Sequence, residues 1–446
     1  MHERNSATKP VLSDGPTIVC DVVVVGGGLA GKAAALQLAK GGLKVICISP
    51  REGTRAPVGE SLDWSAPDLL KTLGLPMDSL VTRQMATWKR HVTLCTRDGR
   101  CEHYVPSPWL GRSPLNVDLR TLHLDRVRVD QELSKLLIDA GIELVPDKVV
   151  DVERSSPGIS SVRTANGKQY SAAWFIDASG LATSLFAREF KLPTIEYGPA
   201  KVALWAYFPV SNPVDGTTLY MDPSPSQYLD WVWEIPVNPQ NVSVGVVTTG
   251  ALMKRKRDQG LAVTEIYRQE LAKYSRFDSL LGAGSIDGIN VTSFKCRVYK
   301  KVAGPNWLIC GEAASMVDPI TANGVTAALR HAADASALIL KYSPHSKLPL
   351  RARVCYSSRI LQMATFFNNG IEEIVYEPTV RNQIGLHRAG TVYTTPAWSM
   401  NVVYAKLRPR GIISTLFLSS LLAIFRLSAS MFYHVCLLTG RNKEVW

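Results

Sequence analysis

Nowhere in the 446 residues do two cysteines stand as Cys-x-x-Cys. The eight cysteines lie far apart, at 20, 47, 95, 101, 296, 310, 355 and 436. That spacing argues against a zinc site and a disulfide frame, and predicts free, mostly buried thiols in a reducing, cytoplasmic setting. The N-terminal stretch MHERNSATKPVLSDG has no apolar run, so no secretory leader is expected. Acidic residues are in deficit: 38 Asp and Glu face 50 Lys and Arg, for a net charge of +12. Such a surplus suits anionic small molecules, an acidic partner protein or an anionic membrane surface. The basic residues are scattered rather than gathered into an arm, so nucleic acid is not expected as a partner.

Charge is missing altogether from GIISTLFLSSLLAIF, residues 411–425. Arg426 interrupts the apolar run, Lys406, Arg408 and Arg410 precede it, and Arg441 and Lys443 follow. A spanning helix needs about 20 apolar residues. Three readings of 411–440 therefore stay open: a span, a helix in the membrane interface with basic flanks, or a helix packed on the body. The chain as a whole, 46% hydrophobic and 20% charged, reads as globular, with two to three domains as the length-based expectation.

The strongest local pattern comes early. CDVVVVGGGLAG, from Cys20 to Gly31, is an apolar run typical of a parallel strand buried on both faces. Gly26, Gly28 and Gly31 fit G-x-G-x-x-G, in which the glycines permit a tight turn, backbone approach to a pyrophosphate, and close helix–strand packing. AAALQLAK (Ala33–Lys40) supplies the helix and VICI (Val45–Ile48) the second strand. The helix N-terminus then faces the phosphates. Ser49, with Glu52 three residues on, stands where an acid normally holds the adenosine ribose. No second nucleotide motif follows.

Downstream come VGESLDWSAPDLLKTLGL (Val58–Leu75), Arg126 four residues before Asp130, WFIDASG (Trp174–Gly180), and LICGEAASMVDPITANGVTAALRHAA (Leu308–Ala333). The last reads as a strand, a turn around Asp318-Pro319, and a helix opening at Asn323-Gly324. A helix N-terminus there can stabilise negative charge on a ligand. DWVWEIPV (Asp230–Val237) places Trp231 and Trp233 on one face of a strand. Pro236 is expected to end or fray that strand.

In this order, the segments resemble the flavin-dependent (tryptophan-type) halogenases and their relatives among single-chain FAD monooxygenases, over roughly residues 18–340. The resemblance implies an α/β fold: a Rossmann-type, GR2-like FAD-binding domain, an inserted mixed β-sheet substrate domain, and a helical C-terminal portion. The implied domains are 18-75, 121-184 and 296-342 for FAD and 76-120 with 185-295 for substrate; beyond Tyr342 the likeness fades, and a helical cover over 343-410 and the apolar 411-440 helix are expected from the residues alone. Gly26, Gly28, Gly31, Ser49, Glu60, Arg126, Asp177, Glu312, Pro319, Asn323 and Gly324 would line the FAD site; many relatives have Asp where Glu312 stands.

Trp231-Val-Trp233-Glu-Ile235-Pro236 matches the family's W-x-W-x-I-P segment between flavin and substrate. In the family, reduced FAD reacts with O2 to a C4a-hydroperoxide, halide attacks it, and hypohalous acid travels to a lysine. Lys89, 29 positions after Glu60, matches that lysine. Alternation through ATWKRHVTL predicts Lys89, His91 and Thr93 on one face and Trp88, Arg90, Val92 and Leu94 on the other; His91 is a further proton-donor candidate. The turn departs from the tryptophan-specific pattern: Thr321 stands at the family's glutamate, and Met316 and Ala322 at its Phe and Ser. Glu372, Glu373, Tyr376, Arg388 and Trp398 are expected to border the substrate chamber.

The expectation is an FAD-dependent halogenase taking halide ion and an electron-rich, small-molecule or carrier-bound aromatic substrate. Electrons would come from NAD(P)H through a flavin reductase. A hydroxylase of the same fold, a prenyl-chain reductase and a non-enzymatic flavin scaffold are the alternatives.

Overall fold

The computed structural model describes residues 17–50, 57–180, 184–210, 213, 215–222, 228–282, 286, 288–377, 399–409 and 411–438. Glu52, Arg388, Trp398, Arg410, Arg441 and Lys443 lie outside the described residues.

The apolar run at the start forms the strand Ile18–Val25, whose Val22, Val23 and Val24 are wholly buried. It sits centrally in a seven-stranded sheet, between Val45–Ser49 and Gln169–Asp177, both parallel to it. Glu143–Pro146 extends one side, and Gly158–Thr164 and Val149–Ser155 the other. Trp307–Ile309 pairs in parallel with Phe175–Asp177. Helices Leu29–Lys40 and Gly324–Tyr342 pack against each other beside this sheet.

An eight-stranded sheet forms the other layer. Its order runs Ser315–Met316, Asn290–Tyr299, Thr194–Pro209, Asn241–Thr249, Asp230–Asn238, Thr217–Asp222, Val92–Thr96, Cys101–Tyr104. All pairs are antiparallel except Thr217–Asp222 with Val92–Thr96. A two-stranded ribbon, Ala86–Lys89 with Thr121–Leu124, lies against the Trp-bearing strand. The fold is thus mixed α/β, as the motifs implied.

Three local expectations need correction. The strand carrying the tryptophans continues through Pro236 to Asn238. Its pairing to Thr217–Asp222 ends at Glu234, whereas Asn241–Thr249 follows it to the end. A residue without an N–H is tolerated where the ladder on one side has already stopped. Second, Cys95 and Cys101 are joined in a disulfide. Six residues apart in sequence, they become cross-strand neighbours when Val92–Thr96 and Cys101–Tyr104 close as a hairpin. Third, residues 86–96 are not one strand: the chain leaves its first ladder after Lys89 and enters the large sheet at Val92. The break resets the alternation, so Val92 shares the cavity wall with Lys89.

The C-terminal segment forms the helix Ile412–Leu438. Leu418 and Leu421 are buried, and Ser414 and Thr415 bond to Gln362 of the helix Leu350–Gly370. Among the described residues no helix is long and apolar enough to cross a membrane, which sets the spanning reading aside.

Candidate active site

A cavity of about 480 Å3 lies between the two large sheets. One end is the nucleotide loop. There Gly26 adopts φ +107°, and a Cβ on it would meet the Ala178 carbonyl oxygen at 2.3 Å. A Cβ on Gly31 would strike the Gly26 carbonyl at 1.9 Å, whereas Gly28 faces open space. The loop is therefore shaped to bring backbone against a ligand, with Gly31 packing the helix onto the strand. Gly28, Glu60, Arg126, Glu312, Pro319 and Gly324 line this cavity. Ser49 lines a second cavity of about 360 Å3 beside Gly27 and Lys32, in the place an adenosine would take. The loop, the two cavities and the helix start at Gly324 fit FAD.

Arg126 is buried and donates to the Val58 carbonyl at 2.8 Å and, more weakly, to Asp130 at 3.3 Å. Burial works against its charge, but Asp130, Glu60 and Glu312 raise its pKa above the ordinary value. Glu60 accepts hydrogen bonds from Tyr207 at 2.9 Å and Ser243 at 3.1 Å. Five predicted residues do not line this cavity: Gly26 and Gly31, which shape the loop by backbone packing, Ser49, which lines the second cavity, and Asp177 and Asn323. The Asp177 carboxylate turns inward to accept from Ser184 at 2.6 Å and from the Ser179 and Phe186 N–H groups, both at 3.0 Å. Ala178 and Gly180 take its place on the wall. Asn323 stands at the N-cap position of the helix start, but its side chain turns away from the helix and its amide donates to Asp63 at 2.7 Å.

Lys89 lies at the other side of the same cavity and is 1% exposed. Its Nζ donates to the Leu62 carbonyl at 2.7 Å and sits 4.7 Å from the Trp64 ring centroid. Burial pushes its pKa down to about 7, and Asp63 only partly offsets that. Asp63, buried below it, is held by Ser65, Asn323 and Asn401. A desolvated amine that is substantially neutral near pH 7 can accept as well as donate.

Trp231 and Trp233 line the cavity with ring centroids 5.8 Å apart. The Trp233 ring lies over Gly245, directly opposite in register; a Cβ there would come within 2.0 Å of it. Trp233 Nε1 donates to Ser243 at 3.1 Å, and Trp231 Nε1 to the Tyr376 hydroxyl at 2.9 Å. Tyr376 in turn donates to Asp318 at 3.2 Å.

Sequence reasoning missed what holds this wall. Lys201, 1% exposed, bridges Asp318 at 2.6 Å and Glu372 at 2.8 Å. It also sits 4.1 Å from the Tyr376 ring, which stacks on Tyr228. Burial opposes its charge, but Asp318 and Glu372 hold it protonated, well above the usual lysine range. No motif marks Lys201, because its partners are 117 and 171 residues away. Glu372 and Tyr376 belong to this clasp. Thr321, at the family's glutamate position, is buried and its hydroxyl donates to the Asp318 carbonyl at 3.2 Å. His91 is half-exposed beside His103.

A dinucleotide loop joined by one cavity to a buried amine and a paired-indole wall defines a flavoprotein oxidoreductase. The family model for tryptophan halogenase matches residues 112–348, more than half the chain, and the chain belongs to that family of FAD-dependent enzymes. A lycopene cyclase protein model also matches residues 21–199, over the nucleotide-binding part. The chain is 26% identical over 355 residues to a 1H-pyrrole-2-carbonyl-[peptidyl-carrier protein] chlorinase of Pseudomonas fluorescens, covering 72% of this chain and 76% of that one. It is 26% identical over 334 residues to the corresponding brominase of Pseudoalteromonas luteoviolacea, covering 71% and 76%. In fold it matches the flavin-dependent brominase Bmp2 at TM-score 0.67 and 19% identity, over 93% of this chain and 99% of that one.

Proposed function

We propose that this enzyme halogenates an electron-rich aromatic substrate with hypohalous acid held at Lys89. The observation that carries the reading is that the nucleotide loop, the Trp231–Trp233 wall and the Lys89 amine line a single cavity. FAD, when bound in reduced form at Gly26, Gly28, Gly31, Arg126 and Glu312, supplies the oxygen chemistry that oxidises halide. The two indoles keep the flavin end apart from the substrate and exclude water. Near neutral pH both forms of Lys89 are populated; its ammonium form hydrogen-bonds the oxygen of the hypohalous acid, orients the halogen towards the ring and can give that oxygen a proton.

Polar groups are few in this chamber, so recognition falls mainly to apolar contacts from Leu219, Ile235, Phe294 and Met316. A phenol or a pyrrole suits it, and the kinship to carrier-protein pyrrole halogenases favours a substrate tethered to an acidic carrier, which the net charge of +12 would attract. Electrons come from NAD(P)H through a separate flavin reductase. We assign 18–75, 121–184 and 296–342 to FAD binding and 76–120 with 185–295 to the substrate side.

The test supplies FAD, a flavin reductase, NADH, O2 and bromide or chloride with phenols, pyrroles and carrier-bound pyrrole. Halide-dependent aryl halide should form, and Lys89→Ala should lower its rate by at least about 10²-fold, the scale for losing one positioned proton-transfer group. Oxygenated product formed without halide would replace this reading with hydroxylation.

A further inference from the structure

Behind Lys89 three extended segments lie side by side. Ser61 bridges to His123, and Thr87 is the register partner of His123 on the adjoining strand. Thr217, from the large sheet, reaches the same point. The Thr87 hydroxyl donates to the Pro236 carbonyl at 2.5 Å, which commits its only proton. Its oxygen therefore accepts from His123 Nδ1 at 3.2 Å. The buried ring is neutral, because burial first, and then Lys89 and His91, lower its pKa well below the ordinary value. With Nδ1 carrying the proton, Nε2 is bare and accepts from the Thr217 hydroxyl at 2.9 Å. Thr217 has then spent its proton and accepts from Ser61 at 2.8 Å. The bonds form one directed chain, Ser61 to Thr217 to His123. Its outer members, Ser61 and Thr217, line the cavity with Lys89, and His123 is wholly buried.

We propose that Ser61, Thr217 and His123 are a proton wire that removes the ring proton when the aromatic substrate is halogenated at Lys89. The inference rests on the reading above and assigns the proton acceptor that Thr321, turned onto the Asp318 carbonyl, does not supply. The π pair of the ring bonds to the halogen of hypohalous acid as the O–X bond breaks, and the departing hydroxyl takes a proton from the Lys89 ammonium to become water. The ring carbon then releases its hydrogen as a proton to the Ser61 oxygen, and the C–H pair restores aromaticity. The Ser61 proton moves to Thr217 and the Thr217 proton to His123 Nε2. The imidazolium is the stronger acid of the two cations, so the proton returns along the same hydroxyls to Ser61 and crosses the shared cavity to the Lys89 amine. The ring is oxidised by two electrons, the halogen is reduced, and the sum is Ar–H plus HOX giving Ar–X plus water. Ser61 is the catalytic residue of the three; Thr217 and His123 act through it.

The probe is phenol and ring-deuterated phenol, brominated by the FAD-loaded enzyme, with monochlorodimedone trapping released hypobromous acid. Thr217→Val and Ser61→Ala should lower kcat by about 10²-fold and raise the ratio of trapped hypobromous acid to aryl bromide. They should also show a primary isotope effect absent from the unsubstituted enzyme. Thr217→Ser, which restores a hydroxyl, should recover the rate and lose the isotope effect. Bromination by Thr217→Val at the original rate, or slowing without an isotope effect, overturns the wire. Independently of any turnover, 15N NMR with His123→Gln for assignment should show an Nδ1–H neutral imidazole; an Nε2–H tautomer or an imidazolium at pH 7 overturns it too. If the unsubstituted enzyme makes hydroxylated rather than brominated phenol while the tautomer is as stated, the halogenation reading has failed and the wire's assigned role falls with it.

Discussion

Lys89 shows how much one residue's surroundings decide. In sequence it is one of 50 basic residues, and only its offset from Glu60 singles it out. Burial gives it an amine that titrates at about 7 instead of the usual 10.5. Aryl halide formation at saturating substrate should therefore change through an apparent pKa near 7 in the native enzyme, and a pH–rate profile checks this. The same burial weakens the fold. Between about 7 and 10.5 the unfolded chain binds a proton at this lysine that the folded chain does not, so stability rises with pH across that window. Lys89→Met should be more stable than the native protein by a few kcal/mol, on the order expected for a desolvated amine. That advantage should be greatest below pH 7 and shrink towards pH 10.5, as seen in denaturant midpoints measured along the pH series.

Among elements, the Trp-bearing strand and the π-helical Ile371–Tyr376, which continues the helix Leu350–Gly370, are tied together by side chains. Trp231 hangs on Tyr376, Tyr376 on Asp318, and Lys201 joins Asp318 to Glu372. Removing the one cation leaves two carboxylates, one of them buried, without their partner. Lys201→Met should cost about 3–5 kcal/mol, the range for breaking a buried pair from one side. Adding Glu372→Gln should return part of it, and thermal unfolding of the single and double variants measures the coupling. At the other indole, Gly245→Val should displace the Trp233 ring, since a Cβ alone would lie 2.0 Å from it. Altered tryptophan fluorescence together with lowered aryl halide yield is the expected result. The pair of indoles on one face was readable from their spacing of two. The strand's continuation past Pro236 was not, because it depends on where the neighbouring strand stops.

For the whole molecule, the two sheets enclose the cavity, and FAD should stabilise their assembly by binding only the folded form. At a concentration 100 times its Kd the cofactor should add about 2.7 kcal/mol. Gly26→Val, with a side chain driven into the Ala178 carbonyl, should abolish both that gain and the absorbance of flavin retained after loading with FAD and desalting. Calorimetry with and without FAD checks the pair of outcomes. The nucleotide half was legible from one end of the chain because strand, glycine turn and helix are consecutive, and local sequence carries their geometry. So were the helix start at Gly324 and the family, and the offset from Glu60 picked out Lys89, which the fold buries on the cavity wall. What sequence could not carry were groups meeting across long separations: the clasp of Lys201, and the line from Ser61 through Thr217 to His123. Periodicity reports which face of an element a residue occupies, whereas hydrogen bonds and ion pairs between distant segments exist only once packing has fixed which faces meet.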